Sequence, residues 1–168
     1  MSGIPEDMRQ RLIELLPRMR RFARTLVGHD ADADDILQIA LERALVRFAQ
    51  WQQDSRLDSW MYAIIRNAWL DELRARRRRG VPVDLDDIAE TMPARGGDTP
   101  TELEAVQHAM AQLPEEQRTA VSLVLVEGLS YKEAAAAMQI PIGTLTSRLA
   151  RGRATLQKLL GPEESVAP

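Results

Sequence analysis

The stretch "EAAAAMQIPIGTLTSRLARGR", residues 133–153, decides the fold. Four alanines run into Gln139, Ile140 and Pro141, and then come threonines, a serine and three arginines with no acid among them. A helix almost bare of side chains thus precedes one rich in hydrogen-bond donors. Two helices joined by a turn of about three or four residues cross closely when one is nearly bare at the contact. Ser130 to Glu133 reads as a capping box that opens the alanine helix. Pro141 suits the start of the next helix, where its missing N–H costs nothing. The pattern predicts a helix-turn-helix.

The second helix of this pair has two faces. Ile142, Leu145, Leu149, Gly152 and Leu156 fall on one side. Thr144, Ser147, Arg148, Arg151 and Thr155 fall on the other, at helical spacings of three and four. Gly152 on the inner side permits close packing, whereas in an exposed helix it would only cost about 1 kcal/mol. The outer side offers donors and no acid, as a helix entering a major groove requires. The same pattern also fits an ordinary helical hairpin with a solvated basic face.

The rest of the chain supports an all-α reading. Ala, Leu, Arg and Glu dominate its 168 residues, and apolar residues make up 45%, as in a folded protein. There are no cysteines, which excludes disulfides and thiolate metal sites. His29 and His108 cannot make a zinc site without carboxylates. Neither a membrane-spanning run nor a signal-peptide core is present, so the expected location is the cytoplasm with no membrane contact. No metal or other cofactor is expected. "DADADD", residues 30–35, resembles a calcium loop, but its sixth position is Asp35 and its twelfth is Leu41, so it fails. No Walker motif, GxSxG or Cys–His pair appears, which argues against an enzyme.

Net charge is −3, but its distribution says more than its sum. Residues 66–79 hold six arginines against Asp71 and Glu72. Residues 144–158 hold Arg148, Arg151, Arg153 and Lys158 with no acid. Between these islands, residues 81–105 hold seven acids against Arg95 alone. Arginine's planar fork suits phosphate and guanine edges.

Periodicity divides the chain into two helical domains. The first spans 5–80. Its first helix covers 5–28, with Pro17 expected to bend or divide it and Gly28 to stop it. Asp30 or Asp32 is expected to cap a second helix that runs to about Trp51, with Ile36, Ile39, Ala40, Ala44 and Leu45 inward. A third helix runs from Leu57 to Arg79, on an inner stripe of Leu57, Met61, Ile64, Ile65, Ala68 and Leu73. A flexible acidic linker is expected over 81–101. The second domain spans 102–161. It starts with a helix over 102–112, and Pro114 opens another that buries Val121, Val124 and Leu125 and ends at Gly128.

The other basic island is "DSWMYAIIRNAWLDELRARRRR", residues 58–79. Residues two apart on a helix diverge by about 200°, so Trp60 and Tyr62 are not both expected inward. An exposed aromatic beside arginines can stack unpaired bases and follow a backbone.

In this order the motifs resemble a known family. "LLPRMRRFARTLVG", "DADDILQIALERAL", "SWMYAIIRNAWLDELRARRRR", "LPEEQRTAVSLVLVEGLSYKEAAAAM" and "IPIGTLTSRLARGRATLQKLL" look like an extracytoplasmic-function (ECF) sigma factor of the sigma-70 family. The resemblance covers roughly residues 8–160. It implies that the first domain binds core RNA polymerase through Asp34, Asp35, Ile36, Gln38, Ile39 and Glu42. It implies minus-ten recognition and melting by Trp60, Tyr62, Arg66 and Asn67, with Arg74, Arg76 and Arg77 near phosphates. Relatives often carry a base four positions after Asn67, where this chain has Asp71. It implies minus-thirty-five readout by Thr144, Thr146, Ser147, Arg148, Arg151 and Arg153, of which Thr146 and Arg153 lie at the edge and would touch phosphate. Expected partners are core polymerase, promoter DNA and an anti-sigma factor. The rivals are a regulator that binds duplex DNA on its own and a sigma-like decoy that captures an anti-sigma factor.

Overall fold

The computed structural model describes residues 3–81 and 99–161. Most of the acidic linker expected over 81–101 therefore lies outside the described residues. Among those described, seven α-helices form and no strand does. They are α1 (Glu6–Val27), α2 (Asp30–Arg47), α3 (Leu57–Arg78), α4 (Glu102–Gln112), α5 (Glu115–Val121), α6 (Tyr131–Met138) and α7 (Ile142–Leu160). No described helix is long and apolar enough to cross a membrane.

Helices α1, α2 and α3 pack against one another. Met19, Phe22, Ala23 and Leu26 of α1 are buried against Ile36 and Ala40 of α2 and Met61 and Ile65 of α3. Each large apolar side chain of this kind contributes about 1.5–3 kcal/mol on burial. Helix α1 runs unbroken through Pro17, which corrects the expected boundary. Proline costs an interior helix a hydrogen bond, but Met8 and Leu12 before it and Met19 and Phe22 after it enter one core. Gly28 ends α1 in the left-handed conformation, and its N–H bonds the Arg24 carbonyl at 2.8 Å.

Three local expectations shift in α2. Its N-cap is His29, with no side-chain bond, so neither Asp30 nor Asp32 caps it. Both acids sit in the first turn, where they favour the helix dipole. The helix stops at Arg47 and a single 3-10 turn, Phe48–Gln50, leads to Trp51. Leu45 points outward, being 56% exposed.

In the second half, Thr101 and Glu104 form a capping box on α4, and Ser130 and Glu133 form the expected one on α6. Helix α5 continues into a wider π-type turn over Ser122–Val126, in which the Glu127 N–H bonds the Ser122 carbonyl at 2.9 Å. The extra residue rotates everything after it by about 100°. Leu125, expected inward, is half exposed as a result, while Glu127 turns into the protein. Gly128 then reverses the chain at φ 74°.

The alanine helix has two neighbours rather than one. Ala134, Ala135, Ala137 and Met138 are buried, and α6 packs on both α7 and α3. One apolar core therefore runs from the first three helices into the second half, through Ala120, Leu123, Leu129, Ala134 and Leu145. A smaller cluster of Met110, Leu113, Val121 and Leu149 seats α7 on α4 and α5. At Gly152 an added Cβ would lie 2.7 Å from Val121 Cγ2, so the helices meet where a side chain is missing.

Candidate nucleic-acid interface

Helix α7 presents the face that its sequence implied. Leu145, Leu149 and Gly152 point inward and are buried, whereas Thr146, Ser147, Arg151 and Arg153 are exposed. Thr144 and Arg148 are half-buried. Ile142, in the first turn, is half exposed rather than packed inward. The Thr146 and Thr155 hydroxyls bond back to the carbonyls of Ile142 and Arg151, at 2.9 and 3.1 Å. Arg148 pairs with Glu116 of α5 at 3.2 Å.

Helix α3 presents a different picture. Trp60 is half-buried and tilts against Trp51 at a centroid distance of 6.4 Å, and Trp51 in turn meets Phe48 at 5.8 Å. Arg11 lies 5.9 Å over the Trp51 ring, which puts a cation beside this aromatic row. Tyr62 is 1% exposed, so it offers no surface to a base in this arrangement. Its ring meets Phe22 edge-on at 4.9 Å, and its hydroxyl donates to Glu127 Oε2 at 2.8 Å. Burial first, and then the bond to Glu127, push the Tyr62 phenol well above its ordinary range. The expectation that Trp60 and Tyr62 would not both turn inward is corrected: Trp60 packs part-buried against the core beside Trp51 and Tyr62 is buried, because α3 is packed on more than one side.

The arginines of α3 divide in the same way. Arg66 is half-buried, and burial pushes its guanidinium pKa down. Its Nε has no hydrogen-bond partner among the described residues. Asn67 is half-buried beside it. Arg76 bonds Glu72 at 2.9 Å and Asp32 at 3.2 Å and lies 5.5 Å over the Trp69 ring. Arg74 bonds Asp71 at 3.2 Å, and Arg77 is exposed. Asp71 also takes Arg43 of α2 at 2.8 Å, so this acid neutralises two basic side chains locally.

Arg66, Asn67 and Arg74 line one cleft with Arg43, Arg47 and Arg148, of about 480 Å³. The two basic islands, some eighty residues apart in sequence, thus share a cavity. The periodicity of either helix alone could not reveal this.

On α2, Asp34, Asp35, Gln38 and Glu42 are exposed and Ile39 is half-buried. Ile36 is 2% exposed and belongs to the core, so it supports this surface from beneath rather than forming part of it. Asp34 pairs with Arg20 at 3.2 Å.

The sequence reading missed one polar group altogether. Glu127 is fully buried at its side chain and takes bonds from Arg18, Arg21 and Tyr62. The visible signal was an acid closing the apolar run "SLVLVEG", residues 122–128.

Comparison with known proteins agrees with this architecture. A family model described as "Sigma-70 region 2" matches residues 12–79, and one described as "Sigma-70, region 4" matches residues 103–156. The chain is 34% identical to the ECF RNA polymerase sigma factor EcfG of Rhodopseudomonas palustris, over 97% of this chain and 94% of that one. It is 38% identical to the RNA polymerase sigma-H factor of Pseudomonas aeruginosa, over 80% of this chain and 76% of that one. Among solved structures it resembles the sigma factor RpoE of Bartonella quintana, crystallised in complex with the anti-sigma factor NepR. That match has a TM-score of 0.77 and 31% identity, and covers 93% of this chain and 98% of that one. Two sigma-70 regions in order, near full-length coverage and a shared helical fold together establish that the chain belongs to the ECF sigma factors of the sigma-70 family.

Proposed function

We propose that this chain carries out the sigma function by a division of labour between its two halves. Helix α2 binds core RNA polymerase through Asp34, Asp35, Gln38, Ile39 and Glu42. Helix α7 reads the minus-thirty-five element in the major groove, with Arg148 and Arg151 on base edges and Thr146 and Arg153 on phosphates. Helix α3 acts on the minus-ten element, where Trp60 and the Arg66–Asn67 pair hold unpaired bases. Tyr62 joins that surface only once the second half has moved away from it. The two halves, residues 5–80 and 102–161, are the working domains. The setting is the cytoplasm, and an anti-sigma factor is the expected regulator.

The observation that carries this reading is the outer face of α7. It keeps Thr146, Ser147, Arg151 and Arg153 exposed while Leu145, Leu149 and Gly152 fix the helix from behind.

Transcription in vitro with bacterial core polymerase and a pool of genomic promoters tests the reading. Core enzyme plus this chain is expected to initiate from a discrete subset. No initiation from any promoter would defeat the proposal. Strong, sequence-selective binding of duplex DNA by the chain alone would favour a conventional regulator instead.

A further inference from the structure

The cleft shared by the two basic islands holds more positive charge than its own residues balance. Arg43 and Arg47 reach it from α2, Arg66 and Arg74 from α3, and Arg148 from α7. Five arginines face two acids, Asp71 and Glu116, which leaves an excess of three positive charges. Asp71 takes Arg43 at 2.8 Å and Arg74 at 3.2 Å, and Glu116 takes Arg148 at 3.2 Å. Arg47 and Arg66 have no ion pair among the described residues.

Arg66 is the least satisfied of the five. It is half-buried, and its Nε is shut off from solvent without a hydrogen-bond partner among the described residues. Burial works most against its charge. Glu115 and Glu116 offset part of this, while Arg148 and Arg74 add to it. A buried donor without a partner costs free energy that a bound acceptor returns. Arginine forks take phosphate oxygens in pairs, with charge assistance. The cleft volume of about 480 Å³ lies in the range of small-molecule sites. A double helix, whose major groove alone is about 12 Å wide, does not fit inside it. Leu70 and Ile140 add a small apolar wall beside the arginines.

We propose that this cleft is a binding site for a small polyphosphate, either a free chain of phosphates or the phosphate arm of a nucleotide. Arg47 and Arg66, the two unpaired forks, take its oxygens, and Arg148 meets it from the other half of the protein. Three linked phosphates carry enough negative charge to offset the excess. Arg66 and Arg148 are also assigned above to DNA, so an occupied site and a bound promoter exclude one another. That consequence rests on the sigma reading, and the site itself does not.

Calorimetric titration of the full chain with sodium tripolyphosphate, without divalent cations and at about 0.15 M salt, tests the site. Saturable one-to-one binding is expected, with no saturable heat from sodium sulfate at the same ionic strength. Arg66→Gln and Arg47→Gln are each expected to weaken binding about tenfold, the loss of one charge-assisted bond. Arg9→Gln removes the same charge from an exposed site outside the cleft and is expected to change nothing. Arg47 is exposed, so Arg47→Gln decides the matter if Arg66→Gln loses its helical circular dichroism. No saturable binding of tripolyphosphate overturns the site. An equal loss in Arg9→Gln and Arg47→Gln also overturns it, because that result marks attraction to net charge alone. A nucleoside triphosphate titrated in parallel identifies the source, and either result upholds the site. Tighter binding than the inorganic chain assigns a nucleotide, and equal or weaker binding assigns the phosphates alone. Failure of transcription with core polymerase strikes the sigma reading and leaves this titration untouched.

Discussion

Helices α7 and α3 both carry arginines and both were expected to face DNA, but the protein treats them differently. Helix α7 packs mainly on one side, so Thr146, Ser147, Arg151 and Arg153 stay exposed as its periodicity predicts, while Thr144 and Arg148 are half-buried and Arg148 pairs with Glu116. Helix α3 packs against α1 and α2 on one side and against α6 on another. Its candidates are consequently divided among a buried tyrosine, a half-buried arginine and arginines already paired with acids. Helical periodicity identifies a surface when one core claims the helix. It fails when a second core, contributed by distant residues, claims the remaining face.

Substitutions can break this contrast. The largest effect is expected on the packed side of α7. Gly152→Val would drive a branched side chain into Val121. Overpacking of this kind costs about 1–3 kcal/mol, which should appear as a fall of several degrees in melting temperature. An unchanged melting temperature would mean that α7 is not seated as described.

The free side of α7 and the divided side of α3 should then separate by step. Arg148→Ala removes a base-reading fork worth about 1–3 kcal/mol, or roughly tenfold in promoter affinity. It is expected to leave binding to core polymerase intact. Trp60→Ala is expected to leave closed-complex binding nearly unchanged and to reduce melting, read by permanganate footprinting. Loss of the same step in both variants would erase the division between the helices.

A smaller effect concerns the seam between the halves. Burial alone would raise the Asp58 pKa, but its bonds from Arg56 and the Ser59 N–H, with the charge of Arg18, outweigh this and hold it below the ordinary carboxylate range. A depressed carboxylate contributes stability above its unfolded pKa and loses it as the pH falls through the folded value. Asp58→Asn should therefore destabilise the chain at neutral pH, by a margin that shrinks below about pH 4. A penalty independent of pH would show that the charge is irrelevant there. The smallest effect is expected at Asp71, whose pairs with Arg43 and Arg74 are largely exposed and worth about 0–1 kcal/mol. Asp71→Asn should raise non-specific DNA affinity slightly, with a steeper salt dependence.

Much of the fold was legible. The α4 bounds, the start of the alanine helix and the inner stripe of α3 follow from capping residues and from apolar spacing. The misses have local physical causes. Leu125 was expected inside because a regular helix was assumed, and the π-type turn after α5 rotated it out. Pro17 was expected to bend α1 or mark a boundary in it, and packing on both sides of it kept the helix continuous. The alanines were read as room for α7 alone, yet α3 uses the same bareness. Ile36 and Tyr62 were assigned to surfaces by resemblance, while their burial depends on what packs over them.

By itself, the sequence determined which residues form helices, where those helices are capped, and that the outer face of α7 would hold donors without an acid. These are short-range properties, set by side chains within a turn or two of each other. Only the tertiary structure decided that Glu127 meets Arg21 and Tyr62, that the two basic islands line one cleft, and which aromatic of α3 is covered. Those facts depend on the packing of residues that are 65 or more positions apart along the chain, and periodicity carries no information over that distance.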